Sequence, residues 1–117
     1  ENVPGLQVLN RAGAWTDVAA PPGTFVCNIG DLMQHWTNDR WISTMHRVVN
    51  PPREAAPGNR RLSIPFFFQP NYDALIECLP TCCSPDHPPR YEAVTSGQHR
   101  LTKFLRGVGA TAPGPRG

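Results

Sequence analysis

A chain of 117 residues, 39% of them hydrophobic, has room for one domain with a modest core. Its 14 prolines suit short strands punctuated by turns better than a helical bundle. A formal charge of +2, with no basic stripe and no interleaved aromatics, gives no reason to expect nucleic acid or a membrane surface as partner.

Residues 6–10 and 15–19 read as two short strands around Arg11-Ala12-Gly13, a spacer of hairpin type. Pro21-Pro22-Gly23 is a turn, and residues 24–29 form an apolar run expected to be a strand. Cys27 lies in that run and is expected as a buried free thiol. Gly30-Asp31 opens a short helical turn through Leu32, Met33 and Trp36, which ends near Thr37-Asn38-Asp39. Two longer strand-like runs follow, 41–49 and 61–68, joined by a polar loop rich in proline and glycine over 50–59. They are expected to pair as the central strands.

Residues 74–79 form another short extended run, and prolines dominate 80–89 as a loop. A helix is expected from Ser96 through Phe104, with Leu101, Phe104 and Leu105 as its apolar stripe, His99 solvated, and Gly107 and Gly109 ending it. Residues 1–109 are expected as the folded part and 110–117 as a disordered tail. No internal repeat is visible, and no apolar run approaches the ~18 residues of a membrane-spanning helix. Nothing at the start has the shape of a signal peptide.

The residues that point to chemistry are His46 and, fifteen positions on, Arg61-Leu62-Ser63. Alternation places Ile42, Thr44, His46 and Val48 on one face of the first run, and Arg61, Ser63, Pro65 and Phe67 on one face of the second. If the runs are neighbours, an imidazole and a guanidinium-plus-hydroxyl anchor line one cavity. That suits a small acid touching a metal at one end and a cation at the other. Alone, a strand histidine is more often a hydrogen-bonded structural residue, and Arg-x-Ser is common by chance. Their matching parity on adjacent runs favours function.

Cys78, Cys82, Cys83 and His87 form a compact group, but the spacing C-x3-C-C-x3-H matches no common structural-zinc pattern. An accidental cluster of thiols is the simpler reading. Free thiols point to a reducing, cytoplasmic setting.

The surrounding words make a family recognisable. Gly5-Leu6-Gln7-Val8, Trp15-Thr16-Asp17-Val18, Asn28-Ile29-Gly30-Asp31, Ser43-Thr44-Met45-His46-Arg47-Val48 and Arg61-Leu62-Ser63-Ile64-Pro65-Phe66-Phe67-Phe68 occur in this order. Over residues 3–106 the chain resembles the C-terminal part of the iron(II)/2-oxoglutarate-dependent oxygenases, in the branch that includes isopenicillin N synthase. The resemblance implies a mainly β fold, part of a double-stranded β-helix or jelly roll, with a C-terminal helix. It implies His46 as the distal iron ligand, Arg61 as the residue binding the remote carboxylate of 2-oxoglutarate, and Ser63 as its assisting hydroxyl. It also implies Fe(II) and 2-oxoglutarate as cofactor and co-substrate, and a small organic molecule as substrate. The chemistry is consistent: imidazole suits Fe(II), and arginine presents a planar fork to carboxylate that lysine lacks.

The family's other iron ligands belong to a His-x-Asp motif upstream of the segment matching Gly5-Leu6-Gln7-Val8. Here the residues two after His35, His46, His87 and His99 are Thr37, Val48, Pro89 and Leu101, and none is a carboxylate. A substitute set from Asp31, His35 and His46 is conceivable, although Asp31 after Gly30 more often caps a turn. The expectation is therefore a dioxygenase fragment, inactive alone, that is marginally stable or self-associates through exposed strand edges. The alternative is a non-catalytic remnant or interaction module that keeps only the arginine pocket. Trp36 and Phe67 are candidates for the substrate side, with core packing the more ordinary role.

Overall fold

Residues 5–50 and 63–109 are described by a computed structural model. The first feature is the hairpin β1 (Leu6–Leu9) and β2 (Trp15–Asp17), with Val8 opposite Thr16. Its turn is set by Asn10, whose side-chain Oδ1 accepts from the backbone N–H of Ala12 at 3.0 Å and of Ala14 at 2.9 Å. Gly13 takes the left-handed conformation at φ +78°, which glycine adopts without a Cβ penalty. The hairpin expected from the Gly-containing spacer is present.

β3 (His46–Val48) adds antiparallel to the other edge of β1, giving a sheet of order β2-β1-β3. Pairing sorts the side chains: Gln7, Leu9, Trp15, Asp17 and Arg47 share one face, and Leu6, Val8, Thr16, His46 and Val48 the other. The first face is tied by polar contacts. Gln7 donates to Asp17 and accepts from Arg47, both at 2.9 Å, and the Arg47 guanidinium lies 4.1 Å from the centroid of the Trp15 ring.

α1 (Asp31–Trp36) forms where the sequence suggests, and its C-terminal end carries two left-handed residues, Asn38 (φ 50°) and Asp39 (φ 66°). β4 (Leu75–Ile76) pairs antiparallel with β5 (Val94–Thr95), which leads into α2 (Ser96–Gly107). Thr95 caps α2 by accepting from the backbone N–H of Gln98. The N–H of Leu79 donates to the carbonyl of Trp36 at 2.8 Å and docks the segment after β4 onto α1, where a 3-10 turn (Pro80–Cys82) follows. Asn38, 2% exposed, locks the same junction. Its amide donates to the carbonyls of Cys82 and Pro88, and its Oδ1 accepts from the N–H of Arg90 at 2.9 Å.

Several expectations are corrected. Residues 24–29 form no strand, and Cys27 is exposed rather than buried. In the run 41–49 only His46–Val48 is a strand, and residues 63–68 form none. The neighbour of β3 among the described residues is β1, not the later run. The reason is shared: β-propensity becomes a strand only where another edge and a packing surface receive it. Phe25 is 95% exposed and Phe68 90%, so these runs meet no packing surface among the described residues. Among the described residues the only buried apolar side chains are Ile76 and Cys82. The result is a small partial fold of short antiparallel sheets with a C-terminal helix.

Candidate functional site

His46 sits on β3 at the edge of the sheet away from β2, on the face shared with Leu6, Val8 and Val48. Its Nδ1 lies 3.3 Å from the carbonyl oxygen of Thr44. A carbonyl can only accept, so in this contact Nδ1 is the donor, and Nε2 is the ring nitrogen it leaves unengaged. The ring is exposed. Ser63 is exposed and belongs to no helix or strand; Arg61, and with it the expected pairing of His46 and Arg61 across one hollow, lies outside the described residues.

The other histidines are placed differently from expectation. Asp31 and His35 are on one short helix as the four-residue spacing suggests, but their partners come from α2 rather than from His46. His99, expected to be solvated, has a side chain only 13% exposed and meets Asp31 at 3.1 Å. It also stands edge-on to the His35 ring, 5.0 Å between centroids. Lys103 joins from the next turn of α2 and donates to the same Asp31 oxygen. Among the described residues no group of three or more histidines, cysteines or carboxylates has the geometry to hold a metal ion. That disposes of an Asp31–His35–His46 set and equally of one built from Cys78, Cys82, Cys83 and His87.

Electrostatics follow from these contacts. Burial pushes the Asp31 carboxyl up, but the hydrogen bonds and charges of Lys103 and His99 outweigh it and leave it below its ordinary value. Burial, followed by the neighbouring His99, lowers His35, whose Nδ1 is buried without a hydrogen-bond partner. The His35 ring stacks on Tyr91 at 3.9 Å. Tyr91 in turn donates to Asp39 at 2.5 Å, and that bond holds the Asp39 carboxyl low and the Tyr91 phenol high. Gln34 donates to Asp39 at 2.8 Å, and Arg90 pairs with it at 2.6 Å. Sequence reading missed Tyr91, Asp39, Gln34 and Arg90, because nothing local marks residues that meet across more than fifty positions.

A shallow cavity of about 270 Å³ lies beside this network, lined by Asn38, Asp39, Arg40, Cys82, His87 and Arg90. The network braces the junction between α1 and the segment around Tyr91.

The family model of the 2OG-Fe(II) oxygenase superfamily matches residues 1–70, more than half the chain and the whole of the β1–β3 sheet. The chain belongs to this superfamily. Its similarity to the 2-oxoglutarate-Fe(II) type oxidoreductase hxnY of Emericella nidulans is 45% identity over 81% of this chain and 26% of that protein. A 2OG-Fe(II) oxygenase family protein from Caulobacter crescentus superposes with a TM-score of 0.76 at 42% identity, over 90% of this chain and 34% of that one. JOX2, solved in complex with 2OG, Fe and JA, superposes at 0.67 with 33% identity, over 99% of this chain and 30% of that one. The chain thus spans 26–34% of the length of these relatives. It corresponds to a C-terminal part of the oxygenases of the isopenicillin N synthase-like branch.

Proposed function

We propose that this chain supplies the distal iron ligand and the 2-oxoglutarate clamp of an oxygenase that oxidises a small organic molecule. His46 offers Nε2 to Fe(II), Arg61 holds the remote carboxylate of 2-oxoglutarate with its two-pronged donor fork, and Ser63 adds a hydroxyl to the same carboxylate. The single observation carrying this reading is the contact of Nδ1 with the Thr44 carbonyl, which holds an exposed strand imidazole by one nitrogen and leaves Nε2 for a ligand. Bound iron and 2-oxoglutarate together supply the oxygen-activating chemistry, with succinate and carbon dioxide as co-products. The protein's own part is geometric. A strand holds the imidazole still, on a sheet face it shares with Leu6, Val8 and Val48, and the clamp orients the co-acid.

The described residues fit iron only in part, since they supply one ligand where a facial triad needs three. In this reading a His-x-Asp pair outside the given residues supplies the other two ligands, and the exposed Ile64, Phe66, Phe67 and Phe68 are surfaces for further strands of a double-stranded β-helix. The second reading is a non-catalytic module that keeps the arginine pocket without iron.

Substitution of Arg61 by Lys, in a form of the protein that carries a His-x-Asp motif, tests the clamp. A point charge in place of a fork should weaken 2-oxoglutarate binding about tenfold or more, the scale of ~1.5–3 kcal/mol for a hydrogen bond to a charged group. Unchanged affinity by calorimetry removes Arg61 from the site. Binding of 2-oxoglutarate that persists without iron and without turnover supports the second reading.

A further inference from the structure

We propose that Cys78 and Cys83 are a reversible dithiol–disulfide pair, oxidised by low-molecular-weight disulfides, bridging the 3-10 turn Pro80–Cys82. The two thiols converge. The Cys78 Sγ lies 3.5 Å from the carbonyl oxygen of Leu79 and the Cys83 Sγ 3.7 Å from the same atom, with a further contact from Cys83 to the Pro80 carbonyl at 3.9 Å. The turn that brings them together is closed by the N–H of Cys82 on that same Leu79 carbonyl, at 2.7 Å. One backbone oxygen therefore organises both sulfurs before any bond forms. Cys78 and Cys83 are partly exposed, whereas Cys82, between them in sequence, is 7% exposed beside Asn38. Cys27 is on a different, exposed segment.

Two convergent sulfurs without a third ligand suit two-point covalent chemistry better than a metal ion. Burial and the adjoining Cys83 push the Cys78 thiol up, which suits Cys78 to the second, resolving step. The Cys83 thiolate attacks one sulfur of a disulfide RSSR, forming a Cys83–S–S–R mixed disulfide and expelling RS⁻, which takes up a proton. The Cys78 thiol then loses its proton and attacks the Cys83 sulfur, and a second RS⁻ leaves. Overall two thiols and RSSR give one intramolecular disulfide and two RSH. The two cysteine sulfurs are oxidised and the reagent is reduced. Prior placement makes the second step unimolecular and fast compared with escape of the mixed disulfide.

The test incubates the reduced chain with glutathione disulfide and maps the products by mass spectrometry without reductant. The expected main product has lost two hydrogens, with Cys78 bridged to Cys83 and Cys82 unmodified. Cys78→Ser should leave a glutathione adduct on Cys83, while Cys82→Ser should close as readily as the parent. In guanidinium chloride the preference for Cys83 over Cys82 should vanish. A bridge to Cys82 or Cys27, glutathione adducts standing unresolved on the parent chain, absence of reaction, or an unaltered preference in denaturant would each overturn the proposal.

Discussion

Val8 and His46 stand directly opposite each other across the β1–β3 ladder, and this pairing decides which way the imidazole faces. A slip of one residue would turn His46 toward the Gln7–Asp17–Arg47 face and replace it with Arg47 or Met45. The polar contacts of Arg47 to Gln7 and Trp15 on that opposite face act against such a slip. Arg47→Ala should therefore leave the fold formed but loosen its register, read as faster amide exchange at β3.

Asn38 closes the junction between α1, the 3-10 turn and the segment before Tyr91 with three hydrogen bonds from a buried side chain. Asn38→Ala removes them, leaves the Arg90 N–H without its acceptor, and puts a Cβ-only residue at φ 50°. A loss of ~1–3 kcal/mol is expected, the usual cost of an orphaned buried polar group. The midpoint of denaturant unfolding checks this, and an unchanged midpoint contradicts it.

Gly97 lies against the Tyr72 ring so closely that an added Cβ would fall 2.3 Å from ring carbon Cε2. Gly97→Ala should destabilise the parent even though alanine is the better helix former by ~1 kcal/mol. In a Tyr72→Ala background the same change should become neutral or stabilising. A double-mutant cycle reads this sign reversal directly.

Acid should weaken the α1–α2 contact in two stages. His35 is held below the ordinary imidazole value of 6.5, so the unfolded chain binds its proton first, and the stability it contributes above pH 6.5 is lost as pH falls below that. Protonated His35 would also face His99 and Lys103. Asp31 and Asp39 are held below the ordinary carboxyl value of 3.8, so their contribution is present above that pH and disappears as pH falls through their lower folded values. Stability measured against pH should rise from acid to about pH 7. His35→Gln should flatten the upper stage alone, and a profile flat between pH 5 and 7 in the parent would remove His35 from the account.

How much of this was legible beforehand depended on whether the information was local. The β1–β2 hairpin, α1 and α2 were readable because Arg11-Ala12-Gly13, Gly30-Asp31 and the stripe Leu101, Phe104, Leu105 are local signals of turn, start and amphipathic face. Residues 24–29 and 63–68 carry strand-like composition, yet their pairing depends on partners that composition does not name. Cys27 and His99 went astray for opposite reasons. The first sits in an apolar run without a cover, and the second finds Asp31 at a separation of 68 residues. The family was legible because its words include His46 and Arg61-Leu62-Ser63 in order. The position of Arg61 relative to His46 was not, because that is a tertiary fact.

The exposed Ile64, Phe66, Phe67, Phe68 and Phe104 predict that the isolated 117-residue chain associates with itself. Sedimentation should show an average mass that rises with concentration. A sharp, concentration-independent thermal transition of a monomer near ~60 °C, a value ordinary for complete domains, would contradict this.

The most direct test of the central claim is an anaerobic titration with Fe(II) and 2-oxoglutarate, followed by the visible charge-transfer band of the chelated iron. A form of the protein carrying a His-x-Asp motif should develop the band. His46→Ala in that form should abolish it, and His87→Ala should leave it intact. The 117-residue chain by itself should give none. A full band in the His46→Ala protein would show that the iron is held without this imidazole, and the assignment would fall.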